Sequence, residues 1–235
     1  AVALALWVDR QNAPEAIGVY LPSNWPVPFG IVLVVDRLSA MMLVLTAVLG
    51  VAAVLYSTAR WHRAGVHFHP LFQIQLMGLN GAFLTADLFN LFVFFEVMLA
   101  ASYGLLLHGS GTARVRSGLH YIAVNLLASA FFLVGVAMLY GVTGTLHAGV
   151  AILAVAFLAK AAMWPLGFWL VPAYSAASAP AAAMFAIMTK VGVYAVVRVW
   201  TLFFPSDGAS SAFGADALVA GGLVTLAFGS LGIMA

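Results

Sequence analysis

Of the 235 residues, 65% are hydrophobic and 7% charged, with a mean hydropathy of +1.10 and a formal net charge of +2. Such a composition excludes an ordinary soluble domain and makes the lipid bilayer the solvent against which the chain folds. The small, scattered positive charge excludes a nucleic-acid partner and a polybasic lipid patch, and the lack of cysteine excludes disulfides and thiolate metal sites.

In chain order, residues 1 to 8 read as the end of one span. A polar, proline-bearing loop from Asp9 to about Pro28 follows, and Trp7, Tyr20 and Trp25 suit a membrane interface. Apolar runs recur at about 31 to 57, 70 to 86, 88 to 108, 118 to 141, 149 to 172, 180 to 204 and 215 to 235. Backbone groups in lipid must be satisfied within each segment, so these runs are predicted to be α-helices; the alternating strands of a β-barrel are not seen. The expected fold is all-α, a polytopic membrane helix bundle of about seven complete spans plus a partial one. It forms a single transmembrane domain over residues 1–235. The chain starts and stops inside apolar stretches, so it is expected to be a fragment, and it shows no signal peptide.

Punctuation agrees with these boundaries. Asp87 precedes a helical run and reads as a cap before an ion ligand, Ser178 and Pro180 open another run, and Pro205-Ser206-Asp207-Gly208 closes it. Thr143-Gly144-Thr145-Leu146-His147 makes a very short link between antiparallel helices. Arg60, Arg63, Arg114 and Arg116 fall in loops on one side, which the positive-inside bias makes cytoplasmic. Arg10, Arg37 and the acidic Asp9, Glu15, Asp207 and Asp216 fall on the other, while Arg198 is left to snorkel.

Three charged residues depart from the apolar pattern. The only lysines, Lys160 and Lys190, both lie near the middle of apolar spans, and Glu96 lies about 14 Å into its helix counted from Asp87. A charge at the bilayer centre costs roughly 2.5 to 3.5 kcal/mol on insertion scales, so these residues must face one another or water. Desolvation and opposite charge act against each other on such groups, which makes them switchable proton carriers. A relay is therefore expected, with Glu96 holding Lys160 protonated and Lys190 taking the proton onward. Pro165 cannot donate to the carbonyl of Ala161, so a kink or water pocket is expected beside Lys160. Tyr194 lies one turn above Lys190, Asn125 and Ser129 form a polar stripe, and His120 opens its span where it could pass protons inward.

Each has a plainer reading. Glu96 and Lys160 could form a structural ion pair, although two lysines against one glutamate leave an amine over. His62, His67 and His69 read as a solvated loop, since no carboxylate or cysteine stands beside them, and no metal site is expected. Phe89, Phe92, Phe94 and Phe95 read as packing or lipid-facing residues, with no quinone site.

The strings FGIVLVVDRLSAMM (29 to 42), DLFNLFVFFEVMLAASYGLLLHG (87 to 109) and AIMTKVGVYAVVRV (186 to 199) resemble the D subunits of the Mrp-type multisubunit sodium/proton antiporters. KAAMWPLGFWLVPAY (160 to 174), with SAP (178 to 180) and TK (189 to 190), also resembles the proton-translocating module of the antiporter-like subunits of complex I. The resemblance implies that the chain supplies the end of the second through most of the ninth helix of a longer bundle. It matches Glu96, Lys160 and Lys190 to the family's proton carriers and Pro165 to the break in its seventh helix. Two departures stand out: the link near 141 to 149 is shorter than the family's, and the family's C-terminal relay has no counterpart here. The implied function is sodium/proton antiport within a hetero-oligomeric complex in the bacterial cell membrane, with protons and sodium as the transported ions and no cofactor in this chain. Two alternatives stand beside it: an antiporter-like proton-pumping subunit of an NADH:quinone oxidoreductase or membrane hydrogenase, and a scaffold for a transporting partner.

Overall fold

The computed structural model describes residues 17–25, 30–109, 111–141, 146–205 and 212–234. The span remnant at 1 to 8, the charged Asp9, Arg10 and Glu15, the link residues Thr143 to Thr145 and the turn residues Ser206 to Gly208 lie outside the described residues. The chain divides into two compact units, one of Ala1–Gly118 with Ala176–Met188 and one of Leu119–Ser175 with Thr189–Ala235.

In the first unit, the apolar run expected from residue 31 begins as a strand. β1 (Gly18–Tyr20) pairs antiparallel with β2 (Leu33–Val35), Gly18 opposite Val35 and Tyr20 opposite Leu33. The helix α1 (Arg37–Thr58) starts only after Asp36. The Ser39 backbone N–H donates to the Asp36 carboxylate at 2.9 Å, and the Asp36 N–H donates to the Ser39 hydroxyl at 2.9 Å. This capping box satisfies two donors that the helix start would otherwise orphan. An isolated two-stranded hairpin is marginal in water. Here it is tied down by the Ala86 N–H, which donates to the Val32 carbonyl at 3.0 Å, and by a bridge between Leu33 and Thr85.

The helices α2 (Phe68–Leu84) and α3 (Leu88–Leu107) follow, and Asp87 caps the second by accepting the Asn90 N–H at 2.8 Å, as its place in the sequence predicts. They pack backbone to backbone: a Cβ added to Gly78 would stand 2.7 Å from Met98 Cβ, and the Phe94 ring lies over Gly81. Small residues at a helix crossing permit that approach, which dispersion rewards in a bilayer where apolar burial from lipid gains nothing. Phe95 is fully buried in this packing, whereas Phe89 is exposed.

Arg114 joins two helix ends of the same unit. Its Nε donates to the Ala176 carbonyl at 2.9 Å and its Nη1 to the His108 carbonyl at 2.5 Å. Helix C-termini leave such carbonyls without intrahelical partners, and a guanidinium fork can satisfy two at once. Arg114→Leu is expected to lower stability by about 1–3 kcal/mol, and Arg114→Lys, with a single ammonium, by less. Thermal unfolding of the purified membrane protein checks the order; equal midpoints for both variants would overturn the double capping.

The remaining helices are α4 (Thr112–Tyr140), α5 (Leu146–Lys160), α6 (Leu170–Ala176), α7 (Ala179–Phe203) and α8 (Ala215–Met234). Among the described residues five helices, α1, α3, α4, α7 and α8, are long and apolar enough to cross a membrane, while α2 with 17 residues and α5 with 15 fall short of that length. The run expected over 149 to 172 is thus two helices, α5 and α6, with a non-helical stretch between them.

Candidate functional site

The second unit contains the break, and its cause lies upstream of the proline. The Met163 N–H donates to the Leu158 carbonyl at 3.0 Å and the Ala162 N–H to the Ala159 carbonyl at 3.1 Å, while Ala162 takes φ +55. These paired bonds around a left-handed residue form a Schellman ending, here with alanine where glycine is usual. The helix therefore stops at Lys160, and Pro165, which is exposed, lies beyond the stop and does not open it. The segment after the break is drawn back by Trp169, whose indole Nε1 donates to the Ala159 carbonyl at 3.1 Å and whose ring meets Tyr121 with centroids 5.3 Å apart.

Lys160 is the last residue of α5, at the end whose partial negative charge attracts a cation. Its side chain is 4% exposed, and Nζ donates to the Ser129 hydroxyl on α4 at 3.1 Å. Of the polar stripe predicted on α4, Ser129 therefore faces the lysine. Asn125 is equally buried, but its Nδ2 donates to the Tyr121 carbonyl of its own helix at 2.9 Å.

Gly192 sets how close α7 comes. A Cβ there would stand 2.5 Å from Ala161 N and 2.9 Å from the Lys160 carbonyl carbon, so only glycine admits this crossing. Lys190 is two residues from that contact, which brings the helix segments bearing the two lysines against each other within one unit. Lys190 lies mid-helix as expected, yet its side chain is exposed, with Nζ at 3.4 Å from the Thr189 hydroxyl. Tyr194, one turn on, is 8% exposed and accepts from Arg198 Nε at 3.0 Å. His120 is exposed near the start of the same unit.

Glu96 belongs to the first unit, where it is half-buried on α3 with the Tyr103 hydroxyl within reach of its charge. Within their unit, Lys160 and Lys190 share a helix crossing; Glu96 is described in the other unit. The residues that sequence reasoning missed are Trp169, Thr189 and Arg198. All three sit inside the strings that carry the family resemblance, and the place of Arg198 near the end of its span suggests only snorkelling.

The arrangement puts a buried lysine amine on a serine hydroxyl at a helix end, and amines and hydroxyls are groups between which a proton can be exchanged. The second lysine lies on the helix that crosses closely at Gly192, two residues away, and among the described residues no group of three or more histidine, aspartate or glutamate side chains could hold a metal ion.

The sequence profile of a family described as NADH:quinone oxidoreductase/Mrp antiporter, TM, matches residues 85–235. The chain is 60% identical over 239 residues to the D subunit of a probable K(+)/H(+) antiporter of Rhizobium meliloti (strain 1021), covering 93% of this chain and 44% of the relative. It is 42% identical over 227 residues to the D subunit of the Na(+)/H(+) antiporter of Alkalihalophilus pseudofirmus, covering 88% of this chain and 46% of that one. In the solved structure of the Mrp complex from Dietzia sp. DQ12-45-1b, a chain with 36% identity superposes with a TM-score of 0.78 over 85% of this chain and 40% of that chain. The chain spans about half the length of the curated relatives it matches.

Proposed function

Because the chain belongs to the NADH:quinone oxidoreductase/Mrp antiporter family of membrane proteins, we propose that it is part of a D-type subunit, one that conducts protons in a multisubunit monovalent cation/proton antiporter of the bacterial cell membrane. In this reading Glu96, Lys160 and Lys190 are the proton carriers of one translocating domain, and the gradient of one ion drives the other without a redox step in this chain. The single observation that carries the reading is Lys160: a lysine 4% exposed, on a hydroxyl, at the broken end of a helix. A structural role alone would waste the insertion cost of the amine. The relative at 60% identity is named for potassium and the one at 42% for sodium, so both ions belong in the test.

The test is cation-dependent dissipation of a pH gradient in vesicles holding the intact complex, with sodium or potassium added, comparing wild type and Lys190→Ala at matched assembly. Exchange is expected to fall at least tenfold, since positioned proton transfer contributes on the order of a hundredfold or more. Unchanged exchange with both ions would sink the relay and leave Lys190 a structural residue. The second reading is a proton-pumping subunit of an oxidoreductase, favoured by the breadth of the family description and by a relative of Desulforudis audaxviator, named NADH-quinone oxidoreductase subunit N, that is 38% identical over 232 residues. It predicts copurification with flavin or iron–sulfur subunits and no exchange in their absence.

A further inference from the structure

The stop after Lys160 leaves non-helical backbone inside an apolar run, where its polar groups must find partners in protein or water. The donors can be followed one by one. The Ala161, Ala162 and Met163 N–H groups donate back to the Phe157, Ala159 and Leu158 carbonyls at 2.7, 3.1 and 3.0 Å, and Pro165 has no N–H. Trp164 lies between them, and its N–H crosses to another helix: it donates to the Thr225 hydroxyl on α8 at 2.9 Å. Thr225 donates in turn to the Gly221 carbonyl of its own helix at 2.7 Å, so its proton is engaged and a lone pair is left to accept.

Two further contacts come from the same side of α8. A Cβ on Gly221 would stand 2.8 Å from Met163 Sδ, and the Phe228 ring stacks on the Trp164 ring with centroids 5.5 Å apart and planes at 26°. Positions 221, 225 and 228 follow one another at helical spacing on one stripe. Gly221 and Thr225 are half-buried there, whereas most of α8 is exposed. The clasped backbone is continuous with the lysine: the bond from the Met163 N–H to the Leu158 carbonyl closes a loop of chain that contains residue 160. Met163 and Trp164 therefore cannot shift without turning the peptide that carries Lys160, whose amine donates to Ser129 at 3.1 Å.

We propose that Thr225 is a positioning residue for proton transfer at Lys160: by accepting the Trp164 N–H it clasps the broken end of α5 to α8 and keeps the amine on the Ser129 hydroxyl. The inference rests on the proposed reading of Lys160 as a proton carrier and adds the helix that sets its place.

The experiment uses vesicles holding the intact complex and reads cation-dependent exchange across a range of pH, with thermal unfolding on the same preparation. Thr225→Val keeps the branched shape and removes the acceptor. Exchange per assembled complex is expected to fall roughly tenfold, as small misplacements of a reacting group do. The pH of half-maximal exchange is expected to move by about one unit, because the surroundings of the amine change. Thr225→Ser keeps the hydroxyl and is expected to match wild type in both. Phe228→Leu loosens the clasp without touching the hydrogen bond and is expected to move the pH midpoint less, which keeps the test decisive if Thr225→Val assembles poorly. A wild-type rate and midpoint in both Thr225→Val and Phe228→Leu would overturn the clasp. So would a lower melting temperature with an unmoved midpoint, the mark of a contact that only stabilises, or Thr225→Ser behaving as Thr225→Val. If Lys160→Met retains exchange, the reading of Lys160 fails and the inference falls with it. Exchange lost in Lys160→Met beside a wild-type Thr225→Val removes the clasp alone.

Discussion

Lys160→Met is expected to reduce cation/proton exchange by on the order of a hundredfold or more while the complex assembles as wild type and melts no lower. The two halves of that expectation come from different physics. Methionine matches the length and much of the apolar stem of lysine, so the buried volume between α4 and α5 stays filled. The ammonium that it replaces is 4% exposed and has the Ser129 hydroxyl at 3.1 Å. Replacing the amine removes its desolvation cost, and the Ser129 hydroxyl can turn to a carbonyl of its own helix, so little stability is expected to be lost. Transport has no such substitute, because a thioether neither binds nor releases a proton in the working range. A purely structural lysine would reverse both halves, with stability falling and exchange surviving in whatever complex remained. Exchange in vesicles, with thermal unfolding on the same preparation, separates the two. Exchange kept in Lys160→Met would remove Lys160 from the relay.

Charges stand out in an apolar chain, so Glu96, Lys160 and Lys190 could be singled out from composition and spacing alone, and Asp87 could be read as a cap from its place before a helical run. The break beside Lys160 could be anticipated but not located. Proline is the visible helix breaker, whereas the stop is made by a left-handed alanine at 162, a residue type that seldom takes that conformation. The hairpin was hidden for a related reason: Leu33-Val34-Val35 is as apolar as the helix that follows, and only the Asp36 and Ser39 capping box divides them. Exposure was not legible either. Lys190 sits mid-helix by count, and nothing local tells whether its face is covered. Arg198 shows a further limit, since its place near the end of a span suggests snorkelling and does not disclose its contact with the Tyr194 hydroxyl.

Gly192→Leu is expected to prevent the second unit from packing, with little folded protein recovered and no exchange. In most core positions an added side chain costs about 1–3 kcal/mol, because neighbouring side chains can change rotamer or shift. At Gly192 the obstacle is backbone. The first added carbon would already stand 2.5 Å from Ala161 N and 2.8 Å from Ala161 Cα, and neither can turn away. Ala161 is also held in place, since its N–H donates to the Phe157 carbonyl at 2.7 Å and the Schellman ending follows directly. Relief must therefore come from moving α7 off α5 or from unwinding the last turn that carries Lys160. Either separates the helix segments of the two lysines, so Gly192→Ala, with one carbon instead of four, is expected to fold partly and to lose more exchange than stability. Gly222 gives the comparison, because a Cβ there meets nothing within 4 Å. Gly222→Ala adds the same carbon in a membrane-spanning helix of the same unit and should fold and exchange as wild type. Size-exclusion profiles of the detergent-solubilised complex, read with vesicle exchange, check the series. If Gly192→Leu elutes and transports like wild type, α7 does not cross α5 as closely as Gly192 permits, and the juxtaposition of Lys160 and Lys190 falls with it.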